Sequence, residues 1–122
     1  MSSSPLHISF KTLERRTVTA AGTITAQRCV GYDGLQITVA GARPWGIAEY
    51  GDIVGKQVTI ATEGSCVVEA GAAVTIGALL ATDAQGRLIP ATTGQFVFGR
   101  ALGAAAQAGR FFEVHITRGG TL

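Results

Sequence analysis

The chain has 122 residues, enough for one domain with one core, and its 47% hydrophobic content is ordinary for a globular protein. Only 15% of residues are charged, below the usual quarter or so, so the surface is either kept soluble by Ser, Thr and Gln or covered by neighbouring copies. The net charge of +2 lies in the first sixteen residues, where Lys11, Arg15 and Arg16 stand against Glu14; nucleic acid or an acidic protein surface could be met only through that segment.

Met1-Ser2-Ser3-Ser4-Pro5 lacks the basic-then-apolar pattern of a secretory signal. No run reaches the roughly 20 apolar residues that cross a bilayer. Synthesis in a cytoplasm is therefore expected, with no membrane partner. Residues 1–16 read as an N-terminal arm. Leu6, Ile8 and Phe10 alternate with His7, Ser9 and Lys11, the period of a strand in need of a partner edge. The arm is expected to order on a neighbour.

Regular structure is predicted from Thr17, with a single β domain over 17–117 and a loose tail at 118–122. Val18-Thr19-Ala20 and Thr23-Ile24-Thr25-Ala26 suit extended chain, with Gly22 as a bend. Tyr32-Asp33-Gly34 marks a turn, and Leu35-Gln36-Ile37-Thr38-Val39 alternates as a strand with Leu35, Ile37 and Val39 on one face. Trp45, Ile47 and Tyr50 follow in a glycine-rich passage. Trp45, with its large apolar area and polar N–H, suits a core anchor first and an interface anchor second. Val58–Thr62 and Ser65–Glu69 read as the two arms of a hairpin around Glu63-Gly64.

Gly71, Gly77 and Gly86 then punctuate short apolar runs, and Asp83-Ala84-Gln85-Gly86 predicts a turn between Leu79–Thr82 and Arg87–Ile89. Phe96-Val97-Phe98 and Phe111–Ile116 are strand seeds, with Phe112, Val114 and Ile116 on one face. Residues 99–109 are alanine-rich, but Gly103 interrupts them; a short helical turn and an extended loop remain open. Many short strands without helix alternation predict an all-β fold, a small glycine-rich barrel or sandwich.

No site for chemistry assembles. A hydrolase triad needs a base and an orienting acid beside its nucleophile, and only His7 and His115 offer imidazole. Glu63 with Glu69, or Asp52 with Asp83, would supply paired carboxylates, but acids in glycine turns commonly serve the backbone. Gly51–Lys56 lacks the spacing of a phosphate-binding loop. Cys29 and Cys66 lack metal-ligand spacing and read as buried thiols. The expectation is a protein without catalytic residues, cofactor or metal.

Glu63-Gly64, Val68-Glu69-Ala70-Gly71-Ala72-Ala73-Val74, Gly77, Leu80, Asp83, Gly86-Arg87, Pro90-Ala91, Gly99-Arg100-Ala101-Leu102 and Glu113-Val114 form an ordered series. With Trp45-Gly46-Ile47-Ala48 and Gly51-Asp52 upstream, it resembles a family of small phage capsid decoration proteins, also found in prophages. The resemblance implies a compact β-barrel that gathers as a homotrimer on the outer surface of the virion, at threefold-related positions. It implies the major capsid protein as partner, and neither small-molecule substrate nor specific nucleic acid. Leu6, Ile8, Phe10, Lys11, Arg15 and Arg16 would then be capsid-contact residues of the arm. Trp45, Ile47 and Tyr50 would be contacts between subunits. A tail, baseplate or fibre module and a small ligand-binding barrel are the alternatives.

Overall fold

The structure, a computed structural model, describes residues 12–122. Along them run β1 (Thr12–Thr19), β2 (Cys29–Val30), β3 (Gly46–Ala48), β4 (Gln57–Glu69), β5 (Leu79–Thr82), β6 (Leu88–Pro90), β7 (Phe96–Ala101) and β8 (Phe111–Thr121). Every pairing between these strands is antiparallel. The order is β2-β3-β4-β8-β7-β5-β6, with β1 added on β4. The sheet curls into a nearly closed barrel, the all-β architecture expected from the sequence.

β4 is the spine, and it corrects one expectation. Residues 58–62 and 65–69 are not two arms of a hairpin but one strand of 13 residues. Its first half pairs with β1, from Thr19↔Gln57 to Thr12↔Gly64, and with β3 through Ile47↔Ala61. Its second half pairs with β8, from Ser65↔His115 to Glu69↔Phe111. Gly64 at φ +88° supplies the change of direction between the halves, in a backbone region that other residues adopt at a cost. β1 carries register shifts on either side of Glu14, opposite the same place, as bulges do where a sheet bends.

The barrel closes through loops and side chains instead of a ladder. The Cys29 N–H donates to the Gly86 carbonyl at 2.7 Å, and the Gly71 N–H to that of Leu88 at 2.9 Å. Gly86 has φ +77°, and a Cβ there would sit 3.2 Å from the Cys29 carbonyl oxygen. The turn before it forms as predicted. Asp83 Oδ1 accepts the N–H groups of Gln85 at 2.9 Å and Arg87 at 2.8 Å, while Oδ2 accepts Arg87 Nε at 2.9 Å. Arg28 reaches across the seam to Glu69 at 3.2 Å and to the Gln85 carbonyl at 3.3 Å. The carboxylates of Asp83 and Glu69 thus fasten the β5–β6 hairpin to the end of β4.

Two apolar clusters fill the interior. The larger holds Phe98, Phe112, Leu80, Leu88, Val68 and Val114 among others. The smaller holds Val18, Ala20, Ile24, Val30, Ala48, Val58 and Ile60, with Trp45 packed against it. Phe112, Val114 and Ile116 share the inward face of β8, as their alternation predicts.

Three further expectations shift. Among the described residues β1 takes in residues 12–16 and β8 runs on to Thr121, where the sequence predicts arm and tail. Leu35–Val39 makes no strand: Gln36 forms a single bridge to Val30, and Leu35 and Val39 are exposed while Ile37 is buried. Residues 99–109 finish β7 and then turn, with Ala105 bridged to Val74 and no helix. Among the described residues no helix is long and apolar enough to cross a membrane.

Candidate docking surfaces

Three features of the exterior carry chemistry for binding. The loops at 31–39 and 50–56 leave Tyr32, Leu35, Val39, Tyr50, Ile53 and Val54 exposed. These loops are fixed from below: the Ala21 N–H donates to the Gly34 carbonyl, the Gly55 N–H to that of Ala20, and Ile24 bridges Asp52. An apolar group of this kind on a firm backbone is what a protein partner covers. The second feature is a groove of about 230 Å³ beside the end of β1, whose walls include Thr12, Arg15, Ile47, Glu49, Cys66 and Val67. The third is the outer face of β8, where Phe111 and His115 are exposed. On that face, one Glu113 carboxylate oxygen is buried without a hydrogen-bond partner among the described residues.

The residues expected to contact partners do not form one patch. Leu6, Ile8, Phe10 and Lys11 lie outside the described residues. Arg15 and Arg16 belong to β1 and are already paired: Arg15 Nε lies 2.6 Å from Glu49 Oε2, and Arg16 3.5 Å from Glu14. Their charge is partly answered within the chain. Trp45 is half-buried, packed on the smaller cluster and stacked on Tyr32 with ring centroids 5.4 Å apart. Ile47 is only 1% exposed; β2 and β4 flank it on either edge, so its side chain belongs to the core and not to a surface between copies. Tyr50 is exposed, its hydroxyl 3.4 Å from the Gln57 carbonyl. The exposed apolar residues beside it, Ile53 and Val54, are missed by sequence reasoning. Their signal was an apolar pair within the turn Gly51–Gly55.

The groups that chemistry would need are engaged otherwise. Cys29 and Cys66 are buried free thiols. Burial pushes the Cys66 thiol up to about 12, and Cys29 well above its ordinary value; neither is a nucleophile near neutral pH. Asp52 accepts the Ile53 N–H at 2.8 Å, while Glu69 and Asp83 serve the barrel seam. His115 stands exposed opposite Arg100 and Ser65. Among the described residues no group of three or more His, Cys, Asp or Glu side chains could hold a metal ion.

The barrel's polar groups serve the backbone, and its exterior offers exposed apolar loop residues. The family model described as phage cement protein matches residues 11–116. The chain belongs to the phage cement protein family, and it is a non-enzymatic virion protein of the capsid exterior. The crystal structure of the head fiber gp8.5 N base in bacteriophage phi29 superposes with a TM-score of 0.72 at 24% identity. The match covers 89% of this chain and 97% of that one, and at that identity it is a likeness of fold. Comparison with curated proteins gives no significant match.

Proposed function

We propose that the protein binds the major capsid protein on the outside of a phage head, as a trimer seated where three capsomers meet, and so strengthens the shell. The observation that carries this reading is the cement-family match across residues 11–116. The exposed loop residues Tyr32, Leu35, Tyr50, Ile53 and Val54 support it by offering apolar side chains to a partner. The mechanism is mechanical. Packed DNA pushes outward, and a protein spanning a junction adds contacts that must break before capsomers separate. Three linked copies multiply weak contacts through effective concentration, and symmetry sets like surfaces around one axis. A low charge content limits repulsion there.

The arm is the second contact. Leu6, Ile8 and Phe10 would anchor an added strand on a capsid protein, with Lys11 beside them. Arg15 and Arg16 contribute less than their charge suggests, because Glu49 and Glu14 already face them. Trp45 and Tyr50 remain the contacts between copies, Trp45 together with the exposed Tyr32 that stacks on it.

Cryo-electron microscopy of undecorated, expanded heads saturated with the protein tests the reading. Threefold clusters of density on the outer shell are expected. Trp45→Ala is expected to lower occupancy on heads more than it lowers the thermal stability of the free protein. Bare heads would overturn the reading, and equal losses would return Trp45 to the core. The fold likeness to a head fiber base supports one other reading, the foot of a longer fibre. Density projecting well beyond a single barrel would favour it.

A further inference from the structure

The outer face of β8 holds a charge that the chain itself leaves unanswered. Phe111, Glu113 and His115 alternate with the buried Phe112 and Val114, and so point away from the core. Pairing fixes the neighbours of Glu113 on that face. Val67 stands directly opposite it on β4. On the other side the Leu102 N–H donates to the Glu113 carbonyl at 2.9 Å, one residue beyond the rung Ala101↔Val114. Ala101 is buried and Leu102 exposed, so the carboxylate has an apolar side chain on either flank. Its Oε2 is shut off from water and accepts no hydrogen bond, and Glu113 joins no ion pair among the described residues. Arg100, opposite His115 on β7, is turned elsewhere, its Nη1 donating to the Gly77 carbonyl at 2.8 Å.

A carboxylate oxygen taken out of water without a donor is costly, and exposed apolar side chains around it are what a partner covers. Glu113 as a whole is only half-buried, so a cation can reach it from outside, and the same contact would cover Phe111 and Leu102. This chain carries a matching cation. Arg110 immediately precedes β8, is exposed, and joins no ion pair among the described residues. Its backbone is held, because its carbonyl accepts the Ala70 N–H at 2.8 Å. It does not serve its own Glu113: three residues of extended chain span about 10 Å, and an odd spacing sets side chains on opposite faces. Donor and acceptor are therefore close in the chain but on different faces. A ring joins two different patches of each subunit head to tail, which suits such a pair. A twofold contact centred on Glu113 would instead set like charges against each other.

We propose that a second copy of this chain docks on the outer face of β8 in solution, its Arg110 pairing with Glu113 and its surface covering Phe111 and Leu102, and that three such contacts close a ring. The proposal deepens the trimer reading and rests on its threefold symmetry. It concerns contacts between copies alone, so it is tested without heads. It adds a contact on β8 to those of Trp45 and Tyr50.

Sedimentation equilibrium of the full chain measures the association, and circular dichroism follows the fold of each variant. The natural chain is expected to reach three times the mass of one chain. Glu113→Gln, which keeps the shape and removes the charge, and Arg110→Glu are each expected to weaken association about tenfold or more, as the loss of one partner from a covered charge pair does. The doubly substituted chain, Arg110→Glu with Glu113→Arg, is expected to regain most of it. Arg110 is exposed, so Arg110→Glu decides alone where a Glu113 variant fails to fold. A natural chain that stays a monomer would overturn the proposal, and so would an Arg110→Glu chain that associates as tightly as the natural one. A monomer that still forms threefold clusters on heads would overturn this contact and leave the decoration reading standing. A ring broken by these variants together with bare heads would do the reverse.

Discussion

The second half of β4 with β8, β7, β5 and β6 forms the body of the barrel; the first half of β4 with β1, β2 and β3 forms a shoulder. The two are built differently. In the body, β8 runs for 11 residues and pairs over five rungs with β4 on one side and over five with β7 on the other, around Phe98, Phe112, Leu80 and Leu88. In the shoulder, β2 has two residues and β3 three, and the cluster is made of Val, Ile and Ala. Long loops span the gaps, and those loops expose Tyr32, Leu35, Val39, Tyr50, Ile53 and Val54. Apart from the long β1–β4 ladder, the shoulder's pairings are two rungs each, and the connections between them are where side chains can face outward. The body holds the shape while the shoulder carries most of the surface a partner would cover.

The sharpest break of that comparison is a pair of core substitutions. Phe98 is fully buried in the body, and Phe98→Ala is expected to cost ~3–5 kcal/mol, the range for emptying a buried aromatic site. Ile60, fully buried in the shoulder, should lose only about 0.5–1.5 kcal/mol as Ile60→Val. Urea unfolding measures both. A separate early transition for Ile60→Val alone would mean that the two regions do not unfold as one unit.

The join between the regions comes next in size. Arg118 lies at the end of β8 with φ +49°. Its guanidinium donates to the carbonyls of Pro44 at 3.0 Å, of Trp45, and of Thr62 at 2.9 Å, and it stacks 5.2 Å from the Phe98 ring centroid. One side chain thereby satisfies carbonyls where β3 starts and where β4 bends. Arg118→Ala is expected to cost about 1–3 kcal/mol, the penalty for partly buried acceptors left unmade. Arg118→Lys should recover little, since a point charge cannot serve three acceptors in a plane. A loss below about 0.5 kcal/mol in the same urea experiment would show that water replaces the guanidinium, as at an ordinary surface site.

Body and shoulder also differ in how well the sequence reveals them. The Asp83–Gly86 turn is legible because it is local: Asp83 caps two N–H groups within four residues, and Gly86 takes the positive φ. The seeds at Phe96–Phe98 and Phe111–Ile116 are legible because alternation matches one buried face. Glu63-Gly64 misleads because a positive-φ glycine serves a hairpin turn and a bend inside a strand alike. The choice is made by β1, β3 and β8, which are remote in sequence. Leu35–Val39 misleads for a related reason. Its alternation is genuine, yet the chain there crosses the barrel seam, where only Ile37 meets the core. Trp45 and Tyr50 are legible as surface anchors by residue type, but Ile47 between them is not separable from them without knowing its strand neighbours.

The smallest effects are electrostatic, and they set the two regions on opposite sides of the pH scale. The Thr62 hydroxyl donates to Glu14 Oε1 at 2.6 Å, which, with the nearby Arg16 charge, holds the Glu14 carboxyl below its ordinary 4.5. A lowered carboxyl value stabilises the pairing of β1 with β4 above the ordinary value, and that help is lost as pH falls through the lowered one. In the body, burial raises the Cys66 thiol from 9.0 to about 12. There the sign is reversed: the contribution is complete below 9.0 and is lost as pH rises toward about 12. Acid should therefore loosen β1 first, seen as faster amide exchange at Val18 than at Val114 below the ordinary carboxyl value. Thr62→Val should abolish that acid step and return the Glu14 carboxyl toward 4.5 in an NMR titration. An unchanged titration in the variant would assign the shift to the charges of Arg16 and Arg118. The fastening of β1 would then be a matter of surface charge, open to screening by salt.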